Sequence, residues 1–470
     1  MSAAESTAAR LSRAAAGRPA APVRILHVGL GNFFRAHQCW YTEHAGDAAG
    51  WGFIAFTGRS ASPVVDDLVA QDGLYTLVSR AADADRFEVI GSLSRVHQAS
   101  DHEAWLRYFA SPEVVAATVT VTEAGYLRGP GGGLDIARPE VQADLDALRH
   151  GATGPAGPVR TAPGRLLAGL AARRRADAGP FTLVPCDNTP GNGALVERIL
   201  GDLAEAVDDG LAGWLRESVT VVTTMVDRIT PRTTADDVRA VAAATGVDDR
   251  CPVVTEPFHE WVLSGAVPGG LPRWEDAGAT LTDDVTPYEH RKLWLLNGAH
   301  SLLAYAGSIR GHTTVAEAVR DETCRSWLEQ WWEVASAQLP QSPADVARYR
   351  AALLDRFANE RMRDRLDRIA ADGSQKLPIR ILPVLRAERR AGRTPEGATR
   401  VLAAWLCHLR GLGAPVLDAR ADEVVPLAQG SLPEAARRLV AGLDPELGAD
   451  EAVVAAVVDQ SRQFAGLAAR

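Results

Sequence analysis

The chain has 470 residues, 46% hydrophobic and 23% charged, with a formal net charge of −9. That length exceeds one compact core and predicts at least two domains. The acidic balance excludes a nucleic-acid binder led by phosphate contacts, and no apolar run approaches the ~18 residues that span a bilayer. Cys39, Cys186, Cys251, Cys324 and Cys407 are scattered without a Cys-x-x-Cys, which fits free thiols in a cytoplasmic protein.

In chain order, residues 1–22 are Ala-rich with no continuous apolar stretch, and read as a disordered tail rather than a signal peptide. Residues 24–28 read as a buried strand ending at Gly29, 33–45 as a helix, 52–56 as a strand and 64–70 as a helix. Residues 75–78, 87–90, 114–121, 181–185 and 219–226 read as further strands. Gly129 to Gly133 and Gly151 to Gly164 read as loops. Strands separated by helices imply βαβ units and a largely parallel sheet. After about residue 285 strand patterns give way to long helical ones, with Ser342-Pro343 opening one of them. The expected organisation is α/β, with a Rossmann-type, mostly parallel sheet domain over 23–285 and a mainly α-helical domain over 286–470.

The first strand runs into Gly29-Leu30-Gly31-Asn32-Phe33. Strand, glycine turn and helix together aim a helix N-terminus at a pyrophosphate. The third glycine of a GxGxxG fingerprint is replaced by Phe34, so the turn alone reads nearly as well as a tight strand-to-helix connection. The second strand ends in Phe56-Thr57-Gly58-Arg59-Ser60. No acidic residue stands there to accept from a ribose 2′-hydroxyl, and Arg59 and Ser60 suit a 2′-phosphate as well as plain solvent.

Of the 50 Lys+Arg residues only Lys292 and Lys376 are lysine, and asparagine occurs only at Asn32, Asn188, Asn192, Asn297 and Asn359. Pressure towards GC-rich codons accounts for that background, and it leaves the surviving lysines and asparagines as candidates for irreplaceable positions. In Pro287-Tyr288-Glu289-His290-Arg291-Lys292-Leu293-Trp294-Leu295-Leu296-Asn297-Gly298-Ala299-His300, read as an α-helix, Lys292, Asn297 and His300 fall within roughly 140° of one another with Glu289 inside that arc. A partly desolvated lysine exchanges protons nearer neutrality, which arginine cannot do. The plain alternative is an amphipathic helix with a solvated polar face. Asp187-Asn188-Thr189-Pro190-Gly191-Asn192 follows a buried strand and reads as a ligand-bearing loop or as a turn. Asp227-Arg228 ends another strand and reads as a site or as a structural ion pair.

These motifs in this order resemble the mannitol dehydrogenase / fructuronate reductase family of polyol-specific long-chain dehydrogenases. The matching pieces are Gly29-x-Gly31-x-Phe33-x-Arg35-Ala36-His37, Gln71-Asp72-Gly73-Leu74-Tyr75-Thr76, Thr120-Val121-Thr122-Glu123-x-Gly125-Tyr126, Cys186-Asp187-Asn188, Val226-Asp227-Arg228-Ile229-x-Pro231, Glu256-Pro257-Phe258, Lys292-x4-Asn297-x2-His300 and Asp372-Gly373-Ser374-x-Lys376-x-Pro378. The resemblance implies NAD as cofactor with NADP not excluded, an active site in the cleft between two domains, and metal-independent hydride transfer on a CH–OH group. His, Cys, Asp and Glu likewise never fall at metal-ligand spacing, so no metal is expected. It implies that Lys292 is the general acid/base, Asn188 and Asn297 the amide donors to the reacting oxygen, and Glu289 a proton-relay carboxylate. It implies substrate binding by His300, Asp227, Arg368 and Lys376, and cofactor binding by Gly29, Gly31, Asn32, Phe33, Arg59, Thr122 and Glu123.

Within that resemblance, Gln375-Lys376-Leu377-Pro378-Ile379-Arg380 looks closer to the fructuronate reductase side, and Arg380 adds a cation for a substrate carboxylate. The leading expectation is a fructuronate/mannonate oxidoreductase. The alternatives are a mannitol 2-dehydrogenase or another polyol enzyme, a mannitol 1-phosphate dehydrogenase, and a non-catalytic nucleotide-binding sensor. A small-molecule substrate is the expected partner, with no nucleic acid and no membrane, in a cytoplasmic monomer or small homo-oligomer.

Overall fold

In the computed structural model, residues 9–129, 131–152 and 157–468 are described. The chain divides into two compact units, Met1–Thr286 and Pro287–Arg470.

The first unit is built on a six-stranded sheet: β1 (Val23–Val28), β2 (Gly52–Phe56), β3 (Leu93–His97), β4 (Ala116–Val119), β5 (Phe181–Pro185) and β6 (Val219–Val221). Their order is 3-2-1-4-5-6 and every pairing is parallel. This is the Rossmann arrangement, which sets the carboxyl ends of β1, β2 and β4 side by side at the point where strand order reverses. Side chains alternate between two cores. Leu26 and Val28 pack with Ile54, Phe56, Trp105 and Val119 on one face, while Ile25 packs with Phe34, Phe53 and Trp261 on the other. Burial on both faces explains why the strands read as continuous apolar runs.

Some expected elements differ. The run 219–226 is two strands, because the chain leaves the parallel sheet at Val222 and Thr223–Asp227 pairs antiparallel with Glu260–Ser264. Asn192 fixes the switch: its side chain donates to Thr224 O at 3.1 Å and accepts from Thr224 N at 3.0 Å. The helix expected over 33–45 is broken at His37 into Asn32–Ala36 and Gln38–Glu43. The second glycine-rich loop ends early: helix Ala162–Ala176 starts inside it, capped by Thr161.

Residues 9–22 are not a disordered tail. Ala9–Arg10 pairs with Val247–Asp248, Leu11 is buried, and the Arg13 guanidinium donates to the carbonyls of Asp72, Gly91 and Leu93 at 2.8–2.9 Å. These are particular hydrogen bonds, which an Ala-rich composition does not announce. Residues 1–8 of that expected tail, Pro130 of the first glycine loop and residues 153–156 of the second lie outside the described residues.

The second unit is helical. Glu396–Leu409 is its axis, buried on every side from Gly397 to Leu409 and apolar there except at Thr399, Arg400 and His408. Gly397 lets Glu322–Ser336 approach, since a Cβ there would meet Gln330 O at 2.7 Å. Ser342 caps Pro343–Phe357 through Asp345 N. Among the described residues no helix is long and apolar enough to cross a membrane.

Candidate active site

Strand β1 ends at Gly29, whose φ is +107° and whose Cβ would lie 2.1 Å from Thr120 O, so only glycine fits. Gly31 is extended, and a Cβ there meets nothing closer than 3.5 Å. Its bareness leaves open space at the helix start. Phe34 is fully buried and stacks on His27, which is held by Thr118 Oγ1 at 2.7 Å and Thr120 Oγ1 at 3.1 Å. The Thr120 hydroxyl in turn donates to Gly29 O at 3.0 Å. Burial pushes His27 down to about 3 from its ordinary 6.5, so it is a neutral bracket beneath the turn. Asn32 turns back into the protein, donating to Pro231 O at 3.2 Å and accepting from Arg35 at 2.8 Å. Phe33 stacks on His37. The side chains of Asn32 and Phe33 thus shape the turn.

At the end of β2, Arg59 and Ser60 are exposed. Arg165, from helix Ala162–Ala176, donates to Thr57 O at 3.2 Å and Gly58 O at 2.6 Å. It is 2% exposed and has no carboxylate partner among the described residues, and burial lowers its pKa to about 10. A Cβ on Gly58 would lie 4.0 Å from Gly29 Cα, so two glycines face each other across the strand ends. Thr122 and Glu123 are exposed beyond β4, with Glu123 3.4 Å from Arg128. Gly29, Gly31, Arg59, Thr122 and Glu123 therefore gather at the carboxyl ends of three adjacent strands, where α/β sheets bind ligands.

Beyond β5, Asp187 is buried and accepts from Tyr126 Oη and from Thr189 N at 2.8 Å, and burial raises its carboxyl above the ordinary 3.8. This fixes the turn that leaves Asn188 exposed. Asp227 is buried at the end of its strand, opposite Glu260. Arg228 is a structural cation: it donates to Ala36 O and Glu256 O and lies over Trp40, while Glu256 accepts from Ile229 N at 2.7 Å. Much of the motif Gln71-Asp72-Gly73-Leu74-Tyr75-Thr76 is structural too. Gln71 and Thr76 N both donate to Asp249, and Tyr75 Oη donates to Arg35 O.

In the helical unit, 287–300 is not a uniform α-helix. Thr286–Arg291 is α, Lys292–Asn297 is a π turn, and Gly298–Leu302 is α again. The Gly298 N–H bonds to Leu293 O, five residues back. The wide turn corrects the arc expected from α geometry: residues five apart stand one turn above each other, so Asn297 lies over Lys292 rather than well around the helix. Lys292 is 8% exposed, and Glu289, Asn297 and His300 are half-buried. His300 Nε2 lies 3.8 Å from Asp364 Oδ2, and its ring sits on Phe357. Burial raises the Asp364 carboxyl, and Arg368, exposed nearby, partly offsets this.

Lys376 is held as a structural tie, donating to Ile369 O at 3.2 Å and Ala371 O at 2.5 Å, and burial lowers its pKa. One turn later Arg380 reaches the 292–300 segment. Its Nη1 donates to Asn297 O at 3.3 Å and Ser301 Oγ at 3.2 Å, burial lowers it to about 10, and its buried Nε has no hydrogen-bond partner. Sequence spacing missed Ser301 and Asp364, and no motif marks either one.

Folding also gathers donor atoms of His312, Asp321 and Cys324 within 4.8 Å. Asp321 is already engaged by Arg310 at 2.7 and 3.1 Å and by Thr323 N and Cys324 N, and burial pushes the Cys324 thiol up to about 12. That is the chemistry of a capped ion pair with a protonated thiol, not a ligand set.

Residues 23–276 match the model of the mannitol dehydrogenase Rossmann domain, and 284–465 that of the mannitol dehydrogenase C-terminal domain. The chain is 38% identical to D-arabinitol 4-dehydrogenase of Ralstonia nicotianae, over 83% of this chain and 84% of that one. It is 34% identical to D-mannonate oxidoreductase of Escherichia coli, over 83% and 80%. Among solved structures it is similar to the Pseudomonas fluorescens mannitol 2-dehydrogenase ternary complex with NAD and D-mannitol, with TM-score 0.80 and 32% identity over 96% of this chain and 94% of that one.

Proposed function

The chain belongs to the mannitol dehydrogenase family of oxidoreductases, and from that premise we propose that it is an NAD-dependent dehydrogenase interconverting a secondary alcohol and a ketone on a sugar acid. The observation that carries this reading is the π turn that stacks Asn297 over the buried Lys292, with His300 one short step further along.

The sheet unit fits the dinucleotide. Gly29 and Gly58 form a cradle that side chains would fill, at strand ends that present backbone to a pyrophosphate. Gly29, Gly31, Thr122 and Glu123 would line it, with Arg59 at the adenosine end. When bound, the nicotinamide accepts the hydride in alcohol oxidation and returns it in ketone reduction.

Lys292 takes the hydroxyl proton as the carbon–hydrogen bond breaks, and gives it back in reduction. Its buried setting excludes the water that would otherwise compete. The Asn297 amide, with Asn188 in the same role, donates to the oxygen as negative charge grows, where one lost donor typically costs ~10²–10³ in rate. Glu289, one turn before the lysine, relays the proton to solvent. His300, Asp227 and Arg368 hold the substrate's hydroxyl groups. Lys376 acts behind them, tying down the Ile369 and Ala371 carbonyls at the end of the short helix that carries Arg368.

A sugar-acid substrate is favoured by Arg380. It is a half-buried guanidinium bonded to the Asn297 segment, with no carboxylate partner among the described residues, and a substrate carboxylate would supply one. The mechanism is metal-independent in this reading, since lysine and amides provide the acid/base and the oxyanion contacts.

The test compares fructuronate with fructose in steady state, using NADH and NADPH in turn. Fructuronate is expected to have the higher kcat/KM, and the R380M variant is expected to lose about 10–100-fold of it. Better turnover of fructose moves the assignment to a neutral polyol. The K292A variant is expected to lose about 10²–10⁴-fold in kcat with NADH binding intact. Near-normal turnover would remove Lys292 from the mechanism.

A further inference from the structure

Trp331 and Trp332 are adjacent on helix Glu322–Ser336 and both are fully buried. Each sends its indole N–H to the π turn: Trp331 Nε1 donates to Trp294 O at 2.9 Å, and Trp332 Nε1 to Leu295 O at 2.8 Å. The two acceptors are consecutive carbonyls between Lys292 and Asn297.

The backbone explains why they accept from side chains. In a regular α-helix Gly298 N–H would bond to Trp294 O. Here that N–H bonds to Leu293 O instead, and Trp294 O takes the Trp331 indole. Gly298 is also what admits the ring, since a Cβ there would lie 2.8 Å from the Trp331 indole atoms. An α register would restore the Gly298 bond to Trp294 O and swing Asn297 away from Lys292. It would also make Trp294 O share its acceptor capacity between the Gly298 N–H and the Trp331 indole, turning both carbonyls towards the helix axis and away from the rings.

We propose that Trp331 and Trp332 are positioning residues for catalysis: their indole N–H pair holds the segment in its wide turn and so keeps the Asn297 amide over the Lys292 amine. The inference rests on Lys292 and Asn297 as the reacting pair. The tryptophans act only through them, because both indoles are fully buried and bonded to backbone.

The experiment replaces each indole N–H while keeping a ring. The variants are W331F, W332F and the double variant, with site-specific 3-benzothienylalanine at position 332 as a shape-conserving replacement that lacks only the donor. Readouts are kcat and KM, the pH profile of kcat, calorimetric NADH affinity, and hydrogen exchange over 292–300. A misplacement of about 1 Å in a catalytic group can cost ~10²-fold. The single variants are therefore expected to lose about tenfold in kcat, and the double about a hundredfold. The pH profile is expected to shift, exchange over 292–300 to rise, and NADH affinity to stay within about twofold.

A merely structural role would lower the melting temperature and leave the pH profile in place. Wild-type kcat and pH profile in W332F or its benzothienyl counterpart overturn the proposal. Running K292A in parallel separates the two readings. If K292A is inactive and the tryptophan variants are normal, only the positioning role fails; if K292A turns over normally, the catalytic pair itself fails.

Discussion

The imidazole of His27 lies flat on the ring of Phe34, with centroids 3.5 Å apart and planes 7° from parallel. Phe34 stands where a dinucleotide fingerprint has its third glycine, the one that normally lets helix and strand pack closely. Here the aromatic stack takes over that packing, with Phe53 edge-on to the same ring. Restoring the glycine is therefore expected to harm the fold. F34G should destabilise the sheet unit by about 3–5 kcal/mol, the cost of emptying a buried phenylalanine site. Urea unfolding followed by circular dichroism measures it, and an unchanged midpoint would show that the stack carries no packing.

Acid should loosen the sheet unit before its carboxylates protonate. His27 and His37 are buried and both are pushed down to about 3 by burial, and His259 to about 4. Their folded values lie below the ordinary 6.5, so the folded state binds fewer protons than the unfolded chain. Their contribution is complete above 6.5 and is lost as pH falls towards 3. His44 has the opposite sign: its bond to Glu88 raises it, so its small, half-exposed contribution is present at low pH and is lost as pH rises. Melting temperature should thus be flat above pH 7 and fall between 6.5 and about 4.5, where carboxylates are still ionised. A flat profile down to pH 4.5 contradicts this.

The two glycines of the turn should respond differently to a methyl group. At Gly29 alanine meets both a positive φ and a carbonyl oxygen 2.1 Å from its Cβ, whereas at Gly31 the nearest atom is 3.5 Å away. Strain of this kind costs about 1–3 kcal/mol before the clash is counted. G29A is expected to be poorly soluble or to lose NADH affinity by more than tenfold. G31A is expected to fold with a wild-type melting temperature, any loss appearing only in dinucleotide affinity. Differential scanning fluorimetry with an NADH titration distinguishes them.

The end of β2 should tolerate a phosphorylated ribose. Arg59 is exposed there, and Arg165 adds a buried positive charge beneath Gly58 with no acidic residue in 57–60. NADPH should bind within about tenfold of NADH. R59E should weaken NADPH selectively, by about tenfold for one exposed ion pair replaced by a repulsion. Equal weakening of both nucleotides would take Arg59 out of phosphate contact.

The sheet of the first unit was legible because all but one of its strands carry a short apolar run between turn residues, and parallel order follows from the intervening helices. The strand Leu93–His97 escaped notice because Ser94 and Arg95 interrupt its apolar pattern. The break at Val222 was invisible for the opposite reason: the β-branched run is continuous, and Asn192, thirty residues earlier, decides where it switches sheets. The π turn was hidden too. A period of 3.6 and a five-residue closure read alike over so few residues, and the donors that stabilise the wide turn, Trp331 and Trp332, sit nearly forty positions downstream. Lys376 was legible as an unusual residue but not as a tie to carbonyls, because composition marks positions and not partners.

Both lysines of the chain lie in the helical unit, one buried and one bonded to two carbonyls. A lysine-specific endoproteinase therefore has two peptide bonds to cut, after 292 and after 376, and neither is presented by the folded unit. Each digestion event reports a transient opening of that unit alone, however the sheet unit fluctuates. The three fragments, 1–292, 293–376 and 377–470, make the enzyme its own gauge of local unfolding, with no label attached.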